Sequence, residues 1–333
     1  MMVTLRVRAR HRLALAFSVV LIGGAVATAS GAAPLDPVPV KDNPKVTETV
    51  PSAAGRWLGW VQNSKRRPAH HDFYVQRGAD ARVKVNAVGT RGLGGDFAGR
   101  NVVYVQQCCD RPPRINRFDL RSGLRSPLPA KVNHRRHTVK ISGTGTHPVV
   151  SGVRGDVTVS GPWLLYSGYT ELLDVDTYWR HTVMLYNRVT HELRRVAAES
   201  SDFYALTAGQ VNRKYVAYLW TRDYVNRKAI VRRYNIKTGR TAKLATARDS
   251  LHLSGPSVSS DGTVYYFATE ADCSDPCTHE LVRQAIGGPA DVIATFTTQH
   301  WWQRPNRTYV KDRPDGSRLV LFDANGDIYK VLD

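Results

Sequence analysis

The residue types that could do chemistry lie in polar segments between apolar runs. His70-His71-Asp72, closing the segment that starts at Lys65, offers a general base or two metal ligands. If this pair opens a strand, its side chains leave on opposite sides, which works against their sharing one ion. Glu171, Asp174 and Asp176 gather carboxylates between Thr170 and His181, half of an acid–base pair or a calcium loop, although the glycine and closing glutamate of an EF-hand are missing. Tyr178-Trp179-Arg180 and His300-Trp301-Trp302-Gln303-Arg304 set aromatic faces beside guanidinium groups, a pairing that stacks on sugars or bases and holds anions. Each segment also reads as a solvated connection, and one ring of each aromatic group as core. Phosphate-loop, nucleophile-elbow and dinucleotide motifs are missing, because the glycines from Gly89 to Gly99 lack a strand-to-helix context. No reaction is specified by this set, and neither a metal nor a cofactor is expected.

The elements that would position these residues repeat. A turn followed by a short apolar, aromatic-rich strand starts at Gly55, Gly99, Gly161, Asn212, Gly262 and Gly316, at intervals of 44, 62, 51, 50 and 54 residues. Each is followed by a polar loop and two more strands around a tight turn, as in Ile115–Arg125, Val183–Arg194 and Ile230–Leu244. Ser122-Gly123 and Thr238-Gly239 supply turn positions that tolerate positive φ. Recurrence over the whole chain without a helical period predicts an all-β fold, a six-bladed β-propeller of antiparallel four-stranded blades over residues 52–333. A pair of β-sandwiches is the alternative.

Two phrases carry a family resemblance. Pro256-Ser-Val-Ser-Ser-Asp-Gly-Thr-Val-Tyr-Tyr-Phe267 resembles the P-x-x-S-x-D-G lead-in to the second strand of a TolB-like blade. Tyr234-Asn-Ile-Lys-Thr-Gly239 and, more closely, Phe118-Asp-Leu-Arg-Ser-Gly123 resemble that family's x-D-L-x-T-G outer hairpin. The phrases are well formed only in blades two, four and five. The resemblance implies a propeller with a binding surface, in a family that includes partner-binding proteins and propellers attached to hydrolases.

A ring of six has further consequences. The last unit ends on two strands around Asn325-Gly326, so another segment should cover its edge, and Val46–Val50 is the expected closing strand. Cys108 and Cys109 fall in blade two and Cys273 and Cys277 in blade five, on opposite sides, whereas a disulfide needs Cα atoms within about 7 Å. Local pairing follows: Cys273 with Cys277, and Cys108 with Cys109 as an adjacent bridge or as thiols. A zinc site of Cys273, Cys277 and His279 is the disfavoured alternative. The segments 65–72, 108–114, 170–181, 221–224 and 272–280 all fall on one face of the ring, which is the expected site.

Arg6, Arg8, Arg10 and Arg12 precede the apolar run Leu13–Ala27 and a stretch of small residues, the pattern of a signal peptide over residues 1–30. Fifteen apolar residues fall short of the roughly 20 that span a bilayer, so no transmembrane segment is expected in the mature chain. Residues 31–51 form a proline-rich leader. Removing the four arginines from a net charge of +19 leaves +15, which favours an acidic partner. The expectation is a monomeric module, secreted or held at the cell envelope, that binds an extracytoplasmic protein or acidic envelope polymer without catalysis. A propeller-type glycan hydrolase or lyase is the alternative, and export argues against nucleic acid.

Overall fold

The structure, a computed structural model, describes residues 35–333 apart from 42, 44, 65–66, 109–110, 134, 142–144, 174–178, 201–203, 223–227, 249–250, 272, 274 and 301–302. The expected signal sequence lies outside the described residues. Strand β1 (Val38–Lys41) precedes the first blade, β2 (Val46–Ala54), β3 (Trp57–Ser64), β4 (Arg67–Arg77) and β5 (Val83–Lys84). Blade two is β6 (Arg91–Ala98), β7 (Asn101–Gln107), β8 (Arg114–Asp119) and β9 (Arg125–Pro127). Blade three has five strands: β10 (Arg135–Ile141), β11 (Gly145–Ser160), β12 (Trp163–Leu172), β13 (Trp179–Asn187) and β14 (Leu193–Ser200). Blade four is β15 (Tyr204–Val211), β16 (Tyr215–Arg222), β17 (Lys228–Asn235) and β18 (Thr241–Arg248). Blade five is β19 (Leu251–Val258), β20 (Val264–Glu270), β21 (Cys277–Gln284) and β22 (Ala290–Thr298). Blade six is β23 (Thr308–Asp312), β24 (Arg318–Ala324) and β25 (Asp327–Leu332), completed by β1. Every neighbouring pair in the six sheets is antiparallel, which makes the molecule a six-bladed β-propeller.

The repeated aromatic strands are the second strand of each blade, counting from β11 in blade three, where β10 is extra. They read as unbroken apolar runs because both faces pack against other blades, as in Leu164–Tyr166 and Val216–Trp220, all buried. Leu165, Val183 and Leu185 of blade three meet Leu206, Val216 and Tyr218 of blade four. Between blades five and six, Phe267 and Phe322 stand edge to face with ring centroids 5.0 Å apart, a geometry that adds about 1 kcal/mol to the area they bury.

The innermost strands look different because backbones crowd toward the axis. A Cβ at Gly209 would collide with the Pro256 carbonyl of the next blade, so that position accepts only glycine. The outer hairpins of blades two, three and four share one turn. The side-chain oxygens of Asp119, Asn187 and Asn235 each accept two backbone N–H groups, for example Asn187 from Val189 at 2.9 Å and Thr190 at 3.0 Å. Gly123 and Gly239 then adopt φ of +71° and +69°, where blade three uses His191 at +59°.

The closing strand differs from expectation. Val46–Val50 is part of β2, the innermost strand of blade one, and Val38–Lys41 pairs with β25 instead. Small residues such as Ser52 and Ala53 suit β2 to the crowded axis, whereas Pro39 lacks an N–H and is tolerated on an outermost strand. Leu35 N donates to Ile293 O at 2.8 Å, so the leader crosses from blade five to blade one. At the seam, Val50 N donates to Asp323 Oδ2 at 3.2 Å.

Candidate functional site

Polar groups from the inner strands close the ring's axis. Arg307 of blade six forms an ion pair with Asp156 of blade three, diametrically opposite. Asp96 of blade two accepts Val159 N at 2.8 Å and Phe97 N at 2.7 Å, and Tyr309 Oη of blade six lies 3.0 Å from its Oδ1. Burial pushes the Asp96 carboxyl up to about 7, against the pull of those three donors. Gln210 of blade four donates to Val310 O at 2.7 Å and accepts Val310 N at 2.9 Å. Asp323 accepts the backbone N–H groups of Asn306, Arg307 and Val50. Asp96, Asp156 and Asp323 are thus committed to holding blades together, and burial raises all three above the usual carboxylate range.

The face that carries the loops between second and third strands has a cleft of about 630 Å³ between blades two and three. It is lined by Leu93, Gln107 and Pro113 on one side and by Val153, Arg154, Gly155, Tyr169 and His181 on the other. The cleft exists because β11 breaks register between Arg154 and Val157, with Gly155 at φ +77°. Gly152 completes it: a Cβ there would lie 2.8 Å from the Tyr169 ring, so glycine lets the ring cover the backbone. Burial, and then the neighbouring Glu171 charge, raises the Tyr169 phenol above its usual range. Arg154 is exposed and His181 is buried. Such a wall has an apolar body, a guanidinium, an amide and two rings, the composition of a pocket that orients a polar ligand.

A second cleft of about 380 Å³ lies on the same face of the ring in blade five, lined by Leu251, Ala268, Glu270, Cys273, Pro276, Thr278 and Glu280. Cys273 and Cys277 are disulfide-bonded with Cα atoms 5.3 Å apart. That bond removes both thiolates from the zinc alternative, and both ring nitrogens of His279 are taken, by Thr269 Oγ1 at 2.7 Å and Thr298 Oγ1 at 2.9 Å. Burial, with the Arg304 charge adding, lowers His279 to about 4. His300 Nδ1 stands 2.8 Å from Asp275 Oδ2 and ties the disulfide loop to the segment after β22.

The sequence-predicted residues divide by where they fall. His70, His71 and Asp72 lie within β4 rather than in a loop, and Asp72 pairs with Lys84 at 2.6 Å and accepts Asn86 Nδ2 at 3.0 Å. Burial raises the Asp72 carboxyl, but hydrogen bonds from Lys84 and Asn86 outweigh it and hold the group low, which makes it a brace between β4 and β5. Glu171, next to the last residue of β12, pairs with Trp179, and Arg180 Nε donates to Ser200 Oγ at 3.0 Å on β14. Asp174, Asp176, Tyr178, Cys109, Trp301 and Trp302 lie outside the described residues, as do the side chains of His70 and Trp179. Sequence reasoning missed Arg154, Tyr169 and Gln107. The available signal was Arg154-Gly155-Asp156, a polar break between two valine-rich runs of one strand.

The closed ring of six blades with a loop-lined cleft defines the molecule's class by fold, a six-bladed β-propeller. No protein-family model matches the sequence, and no curated protein does. Among solved structures, the chain is similar to a protein of unknown function from Dyadobacter fermentans, at 10% identity, 90% coverage of this chain and 98% of that one, with a TM-score of 0.53. It is also similar to TolB from Acinetobacter baumannii, at 14% identity over 86% of this chain and 63% of TolB, with a TM-score of 0.45. An oligogalacturonate lyase in complex with manganese matches at 12% identity over 90% of this chain and 96% of that one, with a TM-score of 0.46. These likenesses concern the fold. Among the described residues, no helix is long and apolar enough to cross a membrane.

Proposed function

We propose that the protein is an exported binding module whose loop-bearing face takes an acidic extracytoplasmic partner at the cleft between blades two and three. The observation that carries this reading is the wall of Gln107, Arg154, Tyr169 and His181 beside apolar Leu93, Pro113 and Val153. The axial carboxylates, which a hydrolase would bring to the channel mouth, are occupied by Arg307, Tyr309 and backbone N–H groups. The net charge of +15 that remains when the four arginines of residues 1–30 are taken from +19 favours an acidic partner, and the Cys273–Cys277 bond fits an oxidising compartment. The test is retention of the mature protein on isolated cell-wall polymer and on an anionic control resin across a salt series. Retention on the polymer that outlasts the resin supports a shaped site, and simultaneous release from both at modest salt contradicts it.

One observation favours a glycan-cleaving enzyme as second reading. Glu270 and Glu280 line the blade-five cleft from the same face of paired strands, where diagonal neighbours stand about 7–8 Å apart, within the range used for carboxylate pairs. Release of reducing ends from acidic or neutral glycans, lost in Glu280→Gln, would support it.

A further inference from the structure

We propose that the β10–β11 hairpin is an arm that holds a linear acidic polymer, one with an anionic group on each repeat unit. This rests on the binding reading above. Blade three is the one five-stranded sheet among the described blades, and its extra strand lies on the axis side of β11, at the loop-bearing face. The strands pair from Arg135 with Ser151 to Ile141 with Gly145. Their neighbour β12 ends its pairing at Leu172 with Val149, and Leu173 N adds one bond to Pro148 O. Among the described residues, positions 139–141 and 145–147 therefore run beyond the rest of the blade.

The charge of this arm is one-sided. No Asp or Glu occurs between Asp119 and Asp156, while Lys131, Arg135, Arg136, His137, Lys140, His147 and Arg154 do. Opposite the cations stand uncharged partners: Ser151 faces Arg135, Val150 faces Arg136 and Thr146 faces Lys140. Cross-strand carboxylates that would offset the repulsion are absent from these register positions, so an anion from outside would relieve it. Arg136 and Lys140 occupy one face of the strand, roughly 13 Å apart at about 3.3 Å per residue. Cations spread in a row suit a polymer with repeated charges better than a single small anion. The same β11 strand then continues into Val153, Arg154 and Gly155 of the cleft, so a chain lying along the arm is delivered to the pocket.

The experiment measures affinity of the purified mature protein for a labelled glycerol-phosphate polymer and a labelled polygalacturonate between about 50 and 200 mM salt. Binding of either one supports the proposal, and which one binds assigns the source of the charge. The combined variant Arg135→Ser, Arg136→Ser, Lys140→Ser is expected to lose at least tenfold in affinity at low salt. Its dependence of log affinity on log salt should flatten by about 2, since each neutralised contact releases fewer counterions. Arg135→Lys with Arg136→Lys should keep both. Neutralising Lys237, Arg240 and Lys243, exposed on the outer hairpin of blade four, should change neither. Thermal melts of every variant should match the wild type, so that a loss of affinity is separated from a loss of folding. Equal losses from the two neutralised hairpins overturn the proposal, as does tighter binding to single-stranded DNA. Unchanged binding after loss of the arm's charges overturns the arm and leaves the binding reading standing, whereas a wild type that binds neither polymer overturns both.

Discussion

Tyr309 Oη lies 3.0 Å from Asp96 Oδ1, although the two residues belong to blades six and two of the ring. The same hydroxyl lies 3.0 Å from the Ala53 carbonyl of blade one, so one side chain joins three blades at the axis. This contact has a pH signature. Asp96 is held at about 7, above its unfolded value near 3.8, so its contribution to stability is present in full below about pH 4 and is lost as pH rises through 7. Urea unfolding should show wild type losing stability relative to Asp96→Asn between pH 4 and 7.5, by on the order of 3 kcal/mol. A difference that is constant with pH would contradict the assignment.

Breaking the Arg307–Asp156 pair should be costly. Both side chains are nearly buried, at 11% and 15% exposure, so Arg307→Ala leaves a carboxylate without its cation. The expected loss is about 3–5 kcal/mol in urea unfolding. Adding Asp156→Asn should restore part of it, and strict additivity of the two losses would mean that the pair does not interact.

Removing residues 35–41 tests ring closure. The deletion exposes the β25 edge, and the shortened protein should melt several degrees lower and associate as concentration rises, seen by sedimentation. A truncated chain that stays monomeric with an unchanged melt would mean that blade six is complete without β1.

The Cys273–Cys277 bond closes a short loop, so Cys273→Ser with Cys277→Ser should cost no more than about 2 kcal/mol. Because the loop also carries Asp275 against His300, the change should register locally, as faster amide exchange around residues 271–276. Global unfolding of this variant at room temperature would contradict that division.

The ring was legible in the sequence because its second strands are buried on both faces and read as aromatic runs at regular spacing, from Trp57 to Phe322. The innermost strands were hidden for the opposite reason: Gly92, Gly94 and Gly95 in β6 and Gly209 in β15 answer to backbone crowding, not to hydrophobic alternation. That concealment is why Val46–Val50 was misplaced to the edge. The x-D-L-x-T-G phrase marked real hairpins, since Asp119 and Asn235 cap the turns with their side chains. His70-His71-Asp72 was placed in a loop because three polar residues in a row suggest one, whereas the segment lies within β4 and Asp72 braces it through Lys84 and Asn86. The cleft stayed out of reach because its walls come from two blades, with Gln107 and Tyr169 far apart in the chain.

The most direct test is hydrogen–deuterium exchange of the protein lacking residues 1–30, with and without isolated cell-wall polymer. The expected result is protection of β10–β11 and of the segments around Gln107, Arg154, Tyr169 and His181, with the outer hairpins of all blades unchanged. Protection confined to those outer hairpins, or to the blade-five cleft around Glu270 and Glu280, would contradict it.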